Sequence, residues 1–517
     1  MNTTTPGIEA AALETAAIKT AKPVKRPRIW SIAASDCSAG AGMQADLTMS
    51  HLLNVDCATL VTVVTAQSSR GVGSVQVMPR SMLEFQWQAA MIDGLPDAIK
   101  IGWLPNESEL LAWLLVKLES VDVPVIWDPV LGATRGGLEG ADQPSPELMA
   151  LLKHVTVLTP NWKEACWLLQ VSDDVLPSAV AMGLLAKGPS SILITGGEKG
   201  NDAEVADLFF GKPDESHDEP EQEALTAFRL LHRRLPYAGH GTRCHCSAAL
   251  AAGLARGMRR YDAVLMAVGA ASASLAHSSE RASGYHNCFA HLPDRHSRID
   301  IAPAGQHGLP ETGFRRLERP LGLYGIVDNL EWLKRLLSLG IDTLQWRVKT
   351  PGDGHREQTE VAIELCREAN VPLFINDDWQ MAIELQAFGV HLGQEDLSAA
   401  NMGKIAEAGL AVGISTHTDW EVARARYWSP SYIAFGPVYK PLSKALKYPP
   451  LGLKRLQRWH QQYRDIPTTC IGGITHQNID EVVATGIESV AIVTDLKDDR
   501  QLMTRMGRLR RSLPKIR

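Results

Sequence analysis

The sequence predicts an α/β protein of two unlike domains, a sandwich built on a mostly parallel sheet followed by a (β/α)8 barrel, and three observations carry that prediction. The chain has 517 residues, too many for one core and enough for two or three domains. Its first half alternates short apolar runs with helix-length stretches, as a parallel sheet covered on both faces requires. Residues 321–512 then repeat strand and helix eight times, the number that closes a compact barrel.

Composition narrows the class. Hydrophobic residues make up 45% and charged residues 21%, ordinary globular usage. No apolar run approaches the roughly 18 residues of a membrane span, so no membrane partner is expected. A net charge of −6 leaves no basic footprint for nucleic acid. Cysteines at 37, 57, 166, 244, 246, 288, 366 and 470 are too dispersed for a disulfide scaffold, which points to a reducing cytoplasm. Residues 1–27 mix Glu9 and Glu14 with Lys19, Lys22, Lys25 and Arg26 and lack a signal peptide's apolar core; they read as a flexible tail.

In the first domain, residues 28–284, strands are expected at 30–34, 59–65, 98–101, 125–127, 155–158 and 192–195. Helices are expected at 82–92, 110–118, 162–169 and 175–186. Ligands of such sheets gather beyond the carboxyl ends of strands. Polar signals stand there: Ser35-Asp36, Asp128-Pro129, Thr159-Pro160-Asn161 and Gly196-Gly197. Charge density rises and periodicity fades over 211–234, read as a surface excursion, and 285–320 reads as an interdomain linker.

The densest cluster is Gly239-His240-Gly241-Thr242-Arg243-Cys244-His245-Cys246, followed by the small-residue run 247–252. Two cysteines and two histidines could ligate zinc. A glycine turn opening an Ala-rich helix could instead aim backbone N–H groups at an anion.

Barrel strands are expected at 323–327, 343–345, 372–375, 389–392, 411–414, 432–435, 469–471 and 489–492. Barrel chemistry sits just after the strands. Arg347 and Lys349 follow the second, Asn376-Asp377 the third, Gln394-Glu395-Asp396 the fourth, Ser415 and His417 the fifth. Ser443-Lys444 lie beyond the sixth, Gly472-Gly473 the seventh and Thr494 the eighth. Cations, hydroxyls and glycine N–H groups suit phosphate oxygens, and two converging aspartates suit Mg²⁺.

These barrel stretches resemble thiamine-phosphate synthase over nearly the whole domain, in Gln345-Trp346-Arg347-Val348-Lys349, Phe374-Ile375-Asn376-Asp377-Asp378, Val390-His391-Leu392-Gly393-Gln394-Glu395-Asp396 and Gly472-Gly473-Ile474. The resemblance implies coupling of hydroxymethylpyrimidine diphosphate to thiazole phosphate with release of diphosphate. It puts Asp377 and Asp396 on Mg²⁺, and Arg347, Lys349, Asn376, Ser415, Ser443 and Lys444 on diphosphate. Gln345 would meet the pyrimidine, and Gly473 with Thr494 the thiazole phosphate. The family's Thr-x-Thr-Lys loop reads Pro441-Leu442-Ser443-Lys444 here, one hydroxyl short.

The first domain resembles hydroxymethylpyrimidine phosphate kinase of the ribokinase fold. The matching runs include 31–46, Thr65-Ala66-Gln67-Ser68, Lys100-Ile101-Gly102, Asp128-Pro129-Val130, Thr159-Pro160-Asn161-Trp162-Lys163-Glu164 and the 239–246 cluster. It implies ATP as co-substrate, Asp46 and Gln67 on the pyrimidine, and Asn161 and Glu164 near Mg·ATP. Gly241, Thr242, Arg243 and Cys244 would form the anion hole, with Cys244 as the family's active-site cysteine. At a helix N-terminus its pKa is expected to be lowered. On this reading His245 and Cys246 become packing residues of the helix.

Two departures stand out. Arg243 replaces the second glycine of Gly-Thr-Gly-Cys, where a Cβ restricts backbone approach and positive φ. Thr195 stands where the family carries a phosphate-contacting lysine. If Arg243 supplies the missing cation, Arg243→Gly should reduce kinase activity.

The combined expectation is a cytoplasmic, bifunctional thiamine-biosynthesis enzyme acting on small molecules, with a homo-oligomer left open. Alternatives are a synthase whose kinase-like domain binds ligand without catalysis, and a kinase half acting on pyridoxal.

Overall fold

The computed structural model describes residues 25–68, 71–130, 143–198, 203–212, 226–281, 283–294, 297–304, 313–350, 352–440, 448–496 and 501–514. The expected tail lies almost wholly outside them, as do Ser443 and Lys444.

The first domain is built on one ten-stranded sheet. Its strands are β1 (Arg28–Asp36), β2 (Asp56–Ser68), β3 (Gly71–Val77), β4 (Ala98–Ile101), β5 (Val125–Trp127), β6 (Val157–Leu158), β7 (Ser191–Glu198), β8 (Glu204–Gly211), β9 (Thr226–Arg233) and β10 (Asp300–Pro303). The order across the sheet is β10-β9-β8-β7-β6-β5-β4-β1-β2-β3. The run from β2 through β1, β4, β5 and β6 to β7 is parallel, and both margins are antiparallel. Ile29, Trp30, Ile32 and Ala33 of β1 are all at most 1% exposed, because a central parallel strand is covered on both faces.

The two faces differ. On one, Trp30, Trp87 and Trp113 pack edge-to-face with centroids 4.9 and 6.0 Å apart. The other is covered by α1 (Gly42–Leu52), α3 (Thr242–Ala255) and α4 (Arg260–Ala276), whose alanines let the helices approach closely. α2 (Trp162–Leu169) opens on a capping box between Asn161 and Glu164.

Two expectations change. Residues 285–320 are more than a connector, since β10 pairs antiparallel with β9 as the sheet's last strand. Its four residues, ending in proline, are too few to show a period. Within 211–234, β9 belongs to the sheet, and 213–225 lie outside the described residues.

The second domain closes as β11 (Leu323–Val327), β12 (Thr343–Trp346), β13 (Leu373–Asn376), β14 (Gly389–Leu392), β15 (Ala411–Thr416), β16 (Tyr432–Phe435), β17 (Thr468–Ile471) and β18 (Val490–Ile492). β11 pairs in parallel with β12 and β18, completing the barrel. Tyr324, Phe374, Ala411, Tyr432, Ala434 and Ala491 share an interior cluster, the filled core of a small barrel. The helix after β15, α5 (Asp419–Tyr427), reaches back to the first domain: its Trp420 is 5% exposed and packs among Phe209, Phe228 and Tyr261.

Candidate active sites

In the first domain the carboxyl ends of the strands open into a cavity of about 390 Å³, lined among others by Asp36, Gln67, Lys100, Asp128, Asn161, Glu164, His240 and 241–244. The backbone turn at its mouth is built by glycines. Gly241 has φ +91°, and a Cβ there would collide with the Gly40 carbonyl oxygen. Asp36 accepts from the Gly40 and Ala41 amides at 3.1 and 2.8 Å and pairs with His240 Nε2 at 3.0 Å. Burial pushes the Asp36 carboxyl up, but the His240 and Ser38 hydrogen bonds outweigh it and hold the group below its ordinary range. Gln67 lies 3.0 Å from the same His240 nitrogen.

Asp46 differs from expectation. It is 0% exposed beneath the cavity wall, where it bonds to Lys100 Nζ at 2.8 Å and accepts from Ser31 Oγ at 2.6 Å. Lys100, itself 1% exposed, is the member of the pair that lines the cavity. An inward-facing position on α1 explains the placement: Met43, Ala45, Asp46 and Met49 are all buried.

Cys244 also departs. Burial and the carboxylates of Asp46 and Asp128 push its thiol up to about 11, outweighing Lys100 and the Gly42 amide. The thiol is therefore protonated at neutral pH, whatever the helix dipole contributes. His245 and Cys246 are buried in α3, and burial first, then Lys100, lowers His245 to about 4.

Arg243 is the decisive residue here. It lies within α3 and is absent from the positive-φ residues, so its Cβ strains nothing. Its effect comes through the guanidinium, which reaches Glu164 Oε1 and Oε2 at 2.7 and 2.6 Å and also bonds Asp128. Those carboxylates are 5% and 0% exposed. Burial raises the Glu164 pKa and the Arg243 charge opposes it. Two buried carboxylates would suit a divalent cation. With the guanidinium between them they do not fit one unless Arg243 moves. Nor is the guanidinium a substitute for the lysine missing at Thr195, because it faces carboxylates rather than an anion hole.

On the barrel rim, Asp377 and Asp396 share a hydrogen bond. Desolvation among the rim loops and then the Asp396 charge push Asp377 up to about 6, with Arg347 and Asn376 pulling the other way. Asp377 holds φ +64°, an uncommon conformation for a non-glycine residue. Asp396 also accepts from the Gly393 amide at 2.9 Å. Two hard-oxygen donors of like charge fit Mg²⁺, which removes the repulsion between them. Lys349 is exposed in the loop after β12, Gly473 (φ +66°) follows β17, and Thr494 opens a short turn after β18.

Beneath the rim runs a buried polar chain. Gln345 Nε2 donates to Tyr324 Oη (3.2 Å), Tyr324 bonds Tyr432 (2.8 Å), Tyr432 meets His391 Nδ1 (2.8 Å), and His391 Nε2 meets Ser415 Oγ (2.8 Å). Burial, helped by Arg347, lowers His391 to about 4, so the ring is neutral with one donor and one acceptor nitrogen. The chain thus links Gln345 on β12 to Ser415 on β15 through the barrel interior. Gln394 fixes the same turn by donating to the Ser415 carbonyl at 2.8 Å.

The thiamine monophosphate synthase family model matches residues 323–496. The thiamine-phosphate synthase of Proteus mirabilis is 46% identical over 184 residues, covering 35% of this chain and 86% of that protein. The chain belongs to the thiamine-phosphate synthase family. The enzyme of that name from Photorhabdus laumondii is 45% identical over 199 residues, 38% of this chain and 92% of its own. The phosphomethylpyrimidine kinase model matches residues 36–288, so the chain joins kinase-family and synthase-family domains of thiamine biosynthesis. A pyridoxal kinase structure from Staphylococcus aureus aligns with a TM-score of 0.46 at 24% identity, covering 54% of this chain and all of that one.

Sequence reasoning missed Tyr324, Tyr432 and His391 as a connected group, and Lys100 as the buried partner of Asp46 on the kinase cavity's wall. Strand alternation could have flagged His391, a polar residue among apolar strand neighbours. Nothing in spacing joins three strands through hydroxyls. The halves are not arranged mouth to mouth. The N-terminal turn of α3 belongs to the kinase cavity, whereas Arg256, Gly257 and Met258 just past its other end line the cleft against the synthase half. With 14 residues at 1.5 Å rise, those ends lie about 21 Å apart.

Proposed function

We propose that the kinase half phosphorylates hydroxymethylpyrimidine, or its monophosphate, from ATP, and that the synthase half couples the resulting diphosphate to thiazole phosphate. The observation that carries the second step is the Asp377–Asp396 pair standing beside Arg347 on the rim, above the chain that ends on Ser415.

When bound there, Mg²⁺ would supply positive charge to the departing diphosphate. Asp377 and Asp396 would hold it. Arg347 and the Ser415 hydroxyl stabilise the charge that builds on the leaving oxygens, and Lys349, Asn376, Ser443 and Lys444 complete the diphosphate cradle. Gln345, held by Tyr324, would offer its amide oxygen to the aminopyrimidine. Gly473 and Thr494 would receive the thiazole phosphate. In the kinase half, Lys100 and the 241–244 turn would hold the phosphate, Gln67 the pyrimidine, and Asn161 and Glu164 would flank the nucleotide.

A second reading, favoured by Arg243 lying between Asp128 and Glu164, is a kinase-like half that binds pyrimidine without turning it over. Supplying hydroxymethylpyrimidine, its monophosphate or pyridoxal with ATP and Mg²⁺ separates the cases. Phosphorylation of either pyrimidine supports the first reading, and pyrimidine binding without turnover the second. Preference for pyridoxal overturns the substrate assignment. For the synthase half, thiamine phosphate should form from the two phosphorylated substrates and fall away in Asp377→Asn.

A further inference from the structure

We infer that Arg259, a residue of the kinase half, is a positioning residue for the synthase reaction. The guanidinium carbon of Arg259, which precedes α4, lies 4.3 Å from the centroid of the Tyr448 ring. That ring also stacks on His417 at 4.6 Å with an interplanar angle of 8°. His417 is tied to buried Glu421 through Nδ1 at 2.8 Å and its backbone N–H at 2.6 Å, and Tyr448 also bonds Glu421. One cation from the kinase half thus caps a stack belonging to the synthase half.

The position of the stack gives it a role. His417 lies two residues beyond Ser415, whose hydroxyl is assigned to the diphosphate. The segment that carries Ser415 therefore runs into this ring pair, and Arg259 stands against the pair's Tyr448. The same corner is fixed a second time. Asp262 on α4 accepts from the Trp420 amide at 2.9 Å and bonds Thr418, while the Trp420 indole sits in the kinase half's aromatic cluster. A cation over an aromatic face is an attraction that a neutral side chain of similar length cannot replace. The two relatives above match only 35% and 38% of this chain yet 86% and 92% of their own length, so a kinase-half residue holding this rim belongs to the fused chain.

The inference rests on the synthase reading, and its test keeps the two apart. In the full chain, Arg259→Gln should raise KM for the pyrimidine diphosphate about three- to tenfold, a typical cation–π contribution. The KM for thiazole phosphate and the melting temperature should stay near wild type, and Arg259→Lys should restore most of the loss. Tyr448→Leu should match Arg259→Gln, and combining the two should add little. Equal KM values in wild type and Arg259→Gln overturn the inference, as does a Lys variant no better than Gln or a loss shared equally by both substrates. A wild-type chain that forms no thiamine phosphate overturns the synthase reading instead.

Discussion

Replacing Arg243 with glycine tests the kinase half most sharply, because one guanidinium bridges two buried carboxylates. In metal-free buffer Arg243→Gly leaves Asp128 and Glu164, at 0% and 5% exposure, without their counter-ion. Breaking a buried pair from one side costs about 3–5 kcal/mol. At roughly 2–4 °C per kcal/mol for a domain of this size, the kinase-half transition should drop by about 6–20 °C. The vacated carboxylates can then accept Mg²⁺, and a ligand at 100 times its Kd returns about 2.7 kcal/mol. Calorimetry with and without Mg²⁺, in an Asp377→Asn background that removes one of the proposed barrel ligands, should show a Mg²⁺-dependent rise in the variant and little in the parent. Isothermal titration should show tighter Mg·ATP binding by the variant. Equal Mg·ATP affinity in both chains, or no loss of stability in chelator, would refute Arg243 as the occupant of the cation position. Loss of phosphoryl transfer together with weaker Mg·ATP binding would restore the compensation idea.

The Asp377 carboxyl, pushed up to about 6 by desolvation and Asp396, makes a pH prediction. A carboxyl whose folded pKa lies above its unfolded value favours the metal-free fold below that unfolded value, and the contribution is lost as pH rises through about 6. Mg²⁺ affinity runs the opposite way. It should climb between pH 5 and 7 and level off above, which titration at three pH values checks; a flat profile would count against the pair as ligands. Asp46→Asn should unfold the kinase half at a lower temperature by several degrees, because Lys100 loses its buried partner; an unchanged melt with a raised KM for the pyrimidine would return Asp46 to a ligand role. Trp420→Ala should cost about 3–5 kcal/mol and move the kinase-half and synthase-half transitions further apart as the halves uncouple. Transitions unchanged from the parent would show that the aromatic cluster does not join them.

Much of this architecture was legible in the sequence because two different periodicities announced it. Eight apolar runs with helix-length gaps mark the barrel, and the strands fall within a residue or two of expectation, as at 323–327 and 389–392. The parallel centre of the first sheet was equally clear. β10 was not, since four residues ending in Pro303 carry no period and owe their strand to pairing with β9. Among site residues, motif position foresaw the approach of Asp377 to Asp396, two residues just beyond the ends of neighbouring strands. It misjudged Asp46, whose chemistry fits a ligand but whose place on α1 turns it toward Lys100. It misjudged the Cys244 pKa because helix polarity was weighed without the desolvation and the two carboxylates that oppose it. Arg243 was seen as a backbone restriction and as a replacement cation for phosphate, and in the fold its guanidinium is taken up by Asp128 and Glu164. Glu421, Trp420 and Tyr448 attracted no notice, because their significance arises only where one half meets the other.

The central claim is that one chain carries the pyrimidine from its alcohol to thiamine phosphate. Incubating the intact protein with hydroxymethylpyrimidine, ATP, Mg²⁺ and thiazole phosphate, and following thiamine phosphate, tests it in one vessel. Thiamine phosphate should accumulate, with AMP not formed and ATP consumed to ADP at two per thiamine phosphate. Product that appears only when the pyrimidine diphosphate is supplied ready-made would contradict the claim and leave the Arg243-bearing half a binding module.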